Sequence, residues 1–196
     1  MDSTSGLLLA STSPRRREIL SALRLEFSVC AVDVDETPAA GESAEAMVLR
    51  LASAKVEAAD RGPAALVLGA DTAVVADDQI LGKPLDEADC LAMLDLLSDR
   101  VHQVVTGVAL RTSVGTATAV STTDVYFREI RRDEALAYWQ SGEPCDKAGA
   151  YAIQGLGGAF VTRIDGSYSG VVGLPVFETL QLLHEAGLTV LKNEKP

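Results

Sequence analysis

The apolar run Leu7-Leu8-Leu9-Ala10 passes directly into Ser11-Thr12-Ser13-Pro14-Arg15-Arg16-Arg17, and this junction constrains the fold more than any other segment. Ser13 is a good N-cap and Pro14 a good first helical residue, so the spacing predicts a strand, a tight turn and a helix from Pro14 to about Arg24. Arg15, Arg16 and Arg17 then fall in the first turn, at the positive pole of the macrodipole. Each cation there costs roughly 0.3–1 kcal/mol without a counter-charge. An anion resolves the conflict. Free backbone N–H groups, two hydroxyls and guanidinium forks together make a phosphate cradle at a strand-to-helix turn. A solvated basic face is the alternative reading.

A chain of 196 residues with 47% hydrophobic content can bury one substantial core, which favours a single domain over residues 1–196 with up to two lobes. No apolar run reaches the roughly 20 residues of a membrane span. Met1 to Leu9 lacks a basic region and a small-residue cleavage site, so a cytoplasmic protein without membrane attachment is expected. Cys30, Cys90 and Cys145 are odd in number and far apart, and are expected to be free thiols. A net charge of −11 disfavours general nucleic-acid binding, which needs many phosphates neutralised. The anion met by the arginines is therefore expected to be small, and a divalent cation would ease the approach of a polyphosphate to so acidic a chain.

Strands are predicted at Leu7 to Ala10, Phe27 to Val32, Ala65 to Val75, Val101 to Arg111, Thr116 to Phe127, Tyr151 to Gln154, Ala159 to Ile164 and Gly170 to Val172. After the arginine-bearing helix, a second is predicted from Ser43 to about Asp60, and a third follows Asp86. Asp133 is expected to cap a fourth, and Pro175 to open a last one carrying Phe177, Leu180 and Leu183. Val101 to Phe127 reads as a long hairpin turning near Ser113-Val114-Gly115. The sheet is therefore expected to be mixed, in one compact α/β unit.

Three segments could carry chemistry. Leu66-Val67-Leu68-Gly69-Ala70-Asp71-Thr72 delivers a carboxylate on an apolar strand, where aspartate is depleted and costly to bury alone. Asp71 is either a turn residue or a placed acid; Asp77-Asp78-Gln79 is the more natural turn, which favours the placed acid. Asp33, Asp35 and Glu36 supply hard oxygen ligands of the kind magnesium or manganese selects, or else a solvated loop. With Lys55 on the second helix and Lys83 in Leu81-Gly82-Lys83-Pro84, these residues form a set suited to phosphoryl chemistry. The third segment, Asp146 to Gly158, surrounds a few polar residues with small ones, and its glycines would let a ligand approach the backbone. It has no dinucleotide fingerprint. His102 and His184 have no zinc-spaced partners and are read as core or surface residues.

Leu8 to Arg16, Asp35-Glu36, Lys55, Gly69-Ala70-Asp71-Thr72, Leu81-Gly82-Lys83-Pro84, Asp146 to Gly155 and Val172-Gly173-Leu174-Pro175 together resemble the Maf family of nucleotide pyrophosphatases, from about Leu7 to about Leu183. The resemblance implies a long twisted mixed sheet flanked by helices, two lobes with a central cleft, similar to inosine triphosphate pyrophosphatases. It also implies a homodimer and hydrolysis of nucleoside triphosphates to a monophosphate and pyrophosphate with a divalent metal, magnesium or manganese. Carried over by motif, Asp71 is the general base and, with Glu36, a metal ligand. Ser11, Arg15, Arg16, Glu36, Lys55 and Lys83 line the phosphate and metal site, and Arg15, Thr72 and Gln154 tune base selection. The block from Asp146 to Gln154 is similar to that of the branch acting on dTTP and UTP. Its carboxamide agrees, because Gln154 can both donate and accept against a uracil or thymine edge. Two alternatives stand beside this: a nucleotide-binding regulator of septum formation and cell division with secondary catalysis, and a house-cleaning enzyme for modified pyrimidine nucleotides.

Overall fold

The computed structural model describes residues 6–62 and 66–190. Strands β1 (Leu7–Ala10), β2 (Phe27–Cys30), β3 (Leu66–Ala76), β4 (Gln79–Leu81), β5 (Val101–Arg111), β6 (Thr116–Phe127) and β7 (Val161–Asp165) form one mixed sheet. Its order is β2-β1-β3-β5-β6-β7, with β4 paired to β3. β1 runs parallel to both β2 and β3, whereas β4 and β7 pair antiparallel with β3 and β6. The mixed α/β sheet is as expected, and the predicted start of β3 at Ala65 lies outside the described residues.

The chain divides into two compact units, with β3, β5 and β6 each contributing to both. The first comprises the described residues up to Asp71, Thr106–Val120 and those from Gly173 onward. It holds β1, β2, α1 (Pro14–Ala22), α2 (Ala44–Ala58) and α6 (Val176–Glu185). Alternate side chains of a strand point to opposite faces. Leu7 and Leu9 accordingly join Leu20, Leu68, Leu174 and Leu183 in one cluster, while Leu8 and Ala10 join Ala52, Val56 and Val67 in another. Burial on both faces is what parallel strands require, and it explains an unbroken apolar run at β1. Helix α2 lies very close to the sheet. A Cβ at Gly69 would meet the Ala52 carbonyl at 2.9 Å, and one at Gly107 would meet the Val48 carbonyl at 2.7 Å.

The second unit, Thr72–Val105 with Ser121–Val172, contains α3 (Glu87–Leu97), α4 (Arg132–Gln140) and α5 (Tyr168–Val172). Its core gathers Val74, Leu94, Leu97, Val104, Val125, Phe127, Tyr138, Tyr151 and Phe160. β3 turns into β4 through Asp77 and Asp78, whose φ values of +47° and +62° suit a two-residue hairpin. Asp86 caps α3, accepting from the Asp89 N–H at 2.9 Å.

Several local expectations are corrected. Tyr151 to Gln154 is not a strand: Gly149 and Ala150 have φ of +66° and +57° just before it, and the Ala152 N–H is taken by the Tyr138 hydroxyl. Gly170 to Val172 is the end of α5, because the Ser167 hydroxyl accepts the Gly170 N–H at 3.0 Å and starts a helical turn. The predicted strand from Ala159 begins instead at Val161, since Leu156–Phe160 is a 3-10 turn, and β2 ends at Cys30 rather than Val32. Asp133 lies inside the first turn of α4; Arg131 holds the cap position, its N–H bonded to the Glu134 carboxylate at 3.1 Å. Phe177 on α6 is exposed, while Thr179, Leu182 and Leu183 face inward.

Candidate active site

Strand alternation decides where Asp71 points. Leu66, Leu68 and Ala70 of β3 face the cluster beside α1 and α6, so Val67, Gly69 and Asp71 face α2. Gly69 removes the side chain that would hold α2 away, and Lys55, on that helix, reaches Asp71: Nζ donates to Oδ1 at 2.6 Å. Both residues are only 8% exposed. Asp71 is therefore a placed acid on a strand, and the turn falls at Asp77 and Asp78. The same ammonium lies 2.7 Å from Glu36 Oε1, so two carboxylates converge on one cation.

Glu36 comes from the acidic loop after β2, and the loop is tied down by residues that sequence reasoning missed. Arg50 of α2 forks onto both oxygens of Glu42 at 2.7 Å and onto the Thr37 carbonyl at 3.2 Å. The Arg50 fork and the Ala39 N–H hold the Glu42 pKa down at about 2. Asp35 accepts the Thr37 N–H at 2.9 Å and so shapes the loop, and Asp33 is exposed. Of the three acids, Glu36 is the one that meets Lys55. The signal available was the Ser43 cap, whose hydroxyl accepts the Ala46 N–H and fixes where the loop enters α2.

At the arginine-bearing turn, no acid occupies the first turn of α1, as expected. Ser13 holds the cap position without a side-chain cap bond; its N–H donates to Ser11 Oγ at 3.2 Å. Arg16 also reaches Ser11 Oγ, at 3.2 Å from Nη1, and its Nε donates to the Gly173 carbonyl at 2.8 Å. Burial lowers the Arg16 pKa, Asp71 opposes this, Arg15 reinforces it and Glu36 opposes it again. The guanidinium thus shares one electrostatic neighbourhood with both carboxylates. Arg17 is exposed. Ser11, Arg15, Arg16, Glu36, Lys55 and Asp71 are all residues of the first unit.

The remaining candidates belong to the second unit. Thr72 follows Asp71 on β3 and is half-buried; Lys83 is exposed after β4; Gln154 is exposed on a turn. Gly149 N–H donates to the Gly82 carbonyl at 3.0 Å, which links the segments bearing Lys83 and Gln154. Beside the glycines near Gln154, the space a Cβ would take is filled by the protein itself. A Cβ at Gly155 would run into the Glu143 carboxylate, and one at Gly158 into the Ile153 carbonyl. Among the described residues, His102 is buried and His184 exposed, and no three His, Cys, Asp or Glu side chains group to hold a metal. The three cysteines are free.

The family model for Maf-like proteins matches residues 6–186, which takes in every segment just described. The chain belongs to the Maf-like family. Relatives of this Maf-like chain include a dTTP/UTP pyrophosphatase from Vibrio vulnificus, 52% identical over 181 residues, covering 91% of this chain and 97% of the relative. A dTTP/UTP pyrophosphatase from Vibrio cholerae is 53% identical over 183 residues, covering 92% and 98%. A solved nucleoside-triphosphatase (dITP/XTP pyrophosphatase) from Mycobacterium abscessus aligns with 64% of this chain and 75% of its own at 18% identity and a TM-score of 0.39.

Proposed function

We propose that this Maf-like chain hydrolyses dTTP and UTP to the monophosphate and pyrophosphate. The observation that carries the reading is the convergence of Asp71 and Glu36 on Lys55 beside Arg16. The names of relatives about half identical to it support the substrate class. A regulator that only bound nucleotide would need the cations but not a buried carboxylate next to them.

In this reading Arg15, Arg16 and Ser11 bind the phosphate chain, with Lys83 adding positive charge for the leaving pyrophosphate. Asp71 accepts the proton of a water molecule as its oxygen bonds to the α-phosphorus. The bond from that phosphorus to the bridging oxygen breaks, and pyrophosphate departs with the electron pair. Lys55 holds Asp71 and Glu36 in place until substrate arrives. The donor set fits a divalent cation. Magnesium commonly takes one or two carboxylates and completes its shell with substrate phosphates and water, so two protein oxygens suffice. Glu36 and Asp71 would hold it, and when bound it would neutralise charge on the phosphates and polarise the phosphoryl oxygens.

Gln154 and Thr72 are assigned to the base, with Arg15 assisting, and residues 1–196 to one catalytic domain. A cytoplasmic location and a homodimer complete the proposal; no helix among the described residues is long and apolar enough to cross a membrane. The test is pyrophosphate release over a panel of normal and modified nucleoside triphosphates with magnesium or manganese. Preference for uracil and thymine nucleotides is expected, and a flat profile across bases would reject the substrate assignment. Mass in solution checks the dimer.

A further inference from the structure

The turn that carries Gln154 is held by side chains rather than by a sheet. Glu143 Oε1 accepts from the Gly157 N–H at 3.0 Å, and Oε2 accepts from the Leu156 N–H at 2.9 Å. The Tyr138 hydroxyl donates to Glu143 Oε1 at 2.8 Å and accepts from the Ala152 N–H at 3.1 Å. One carboxylate and one phenol therefore fix backbone on both sides of Gln154, two residues before it and two and three after. Gly155 is where that carboxylate lies against the backbone, over the place a Cβ would take. Successive N–H groups in such a turn make a ready anion site, and here the chain's own carboxylate fills it. Burial raises the Glu143 pKa, but the bonds from Gly157, Leu156 and Tyr138 outweigh this and leave it lowered.

We propose that Glu143, acting with Tyr138, is a positioning residue that aims Gln154 at the nucleobase and so sets base discrimination. The proposal rests on the assignment of Gln154 to base reading. An exposed amide on an untethered six-residue turn would sample many orientations, and discrimination by hydrogen bonding needs one. Glutamine in place of Glu143 keeps the size but exchanges an accepting oxygen for an NH₂ group. At least one of the backbone N–H groups then faces a donor and the turn loosens.

The test compares UTP with CTP on the full chain. Glu143→Gln is expected to cut the UTP-over-CTP ratio of kcat/KM about tenfold, through KM for UTP, while kcat on CTP stays within about twofold. In a Gln154→Ala background the same substitution should change the ratio by less than about twofold, since its route is gone. Tyr138→Phe, which keeps the ring packed on Phe160, should shift the ratio in the same direction and serves where Glu143→Gln fails to fold. Equal losses on both nucleotides with the ratio intact, in folded protein, would overturn the proposal. So would an equal fall in the ratio on both backgrounds. If Gln154→Ala alone leaves the ratio unchanged, base reading by Gln154 is wrong and the proposal falls with it, a result distinct from the other two.

Discussion

Asp71 and Glu143 are both carboxylates set into the protein, and they are held by opposite means. Asp71 is met by charge: a buried ammonium at 2.6 Å that also serves Glu36, with the Arg16 guanidinium in the same field. Glu143 is met by neutral donors, two backbone N–H groups and a phenol. A charge-held carboxylate can exchange its partner when phosphates and a metal arrive, because the cation is re-partnered at the same time. A carboxylate bound by neutral groups of the fold cannot be released without undoing the fold. In the proposed reading the first arrangement serves chemistry and the second serves shape. The same contrast extends to His102, which is buried, kept neutral, 2.9 Å from the Tyr151 hydroxyl and edge-on to Phe127.

The contrast breaks if removing the charge at Asp71 has little effect. Asp71→Asn should lower turnover by about 10²–10⁴-fold, and steady-state kinetics on folded protein checks it. Near wild-type rates would make Asp71 a structural partner of Lys55. Next in size is Lys55→Met, which removes the ammonium on which Asp71 and Glu36 converge. Unfolding in urea should show a loss of about 3 kcal/mol, the low end for a broken buried pair because Glu36 is half exposed. Adding Asp71→Asn to it should recover part of that loss; a further loss instead would show that charge is not what couples them.

On the neutral side, burial holds the His102 pKa at about 4, below the usual value near 6.5. The unfolded chain thus binds more protons in that window, so stability is fully present above about pH 6.5 and is lost as pH falls toward 4. His102 should account for about 2–3 kcal/mol between pH 7.5 and 4.5. A His102→Phe variant should show a correspondingly flatter stability profile, and parallel profiles would show that His102 ionises in the fold. The smallest effect is at Gly107, where alanine would push α2 off the sheet and cost about 1–3 kcal/mol. Because α2 carries Lys55, activity should fall together with melting temperature; a stability loss without loss of rate would detach helix placement from the site.

Much of the first unit was readable in the sequence because its signals are local. An apolar strand followed by Ser13-Pro14, a Ser43 cap and a strand interrupted by Asp71 each announce themselves within a few residues. What Lys55 and Asp71 share was harder to see. Their meeting depends on strand parity at Gly69 and on how closely α2 can lie, which is a property of packing across the chain. The second unit was less legible. Tyr151 to Gln154 has the apolar content of a strand, but its Ala152 N–H is claimed by the Tyr138 hydroxyl, and Glu143 takes the N–H groups of Leu156 and Gly157 just after it. The glycines there read as room for a ligand, whereas the space a Cβ would take at Gly155 and Gly158 is filled by Glu143 and the turn's own backbone. Short segments whose hydrogen bonds are made by distant side chains carry no periodicity to read.

The proposed function requires the paired carboxylates and cations of the first unit to cleave a nucleoside triphosphate between its α- and β-phosphates. Product analysis on UTP with purified protein and magnesium tests this most directly. One pyrophosphate per UMP formed is the predicted result; release of inorganic phosphate with UDP, or tight binding of UTP with no turnover, would contradict it.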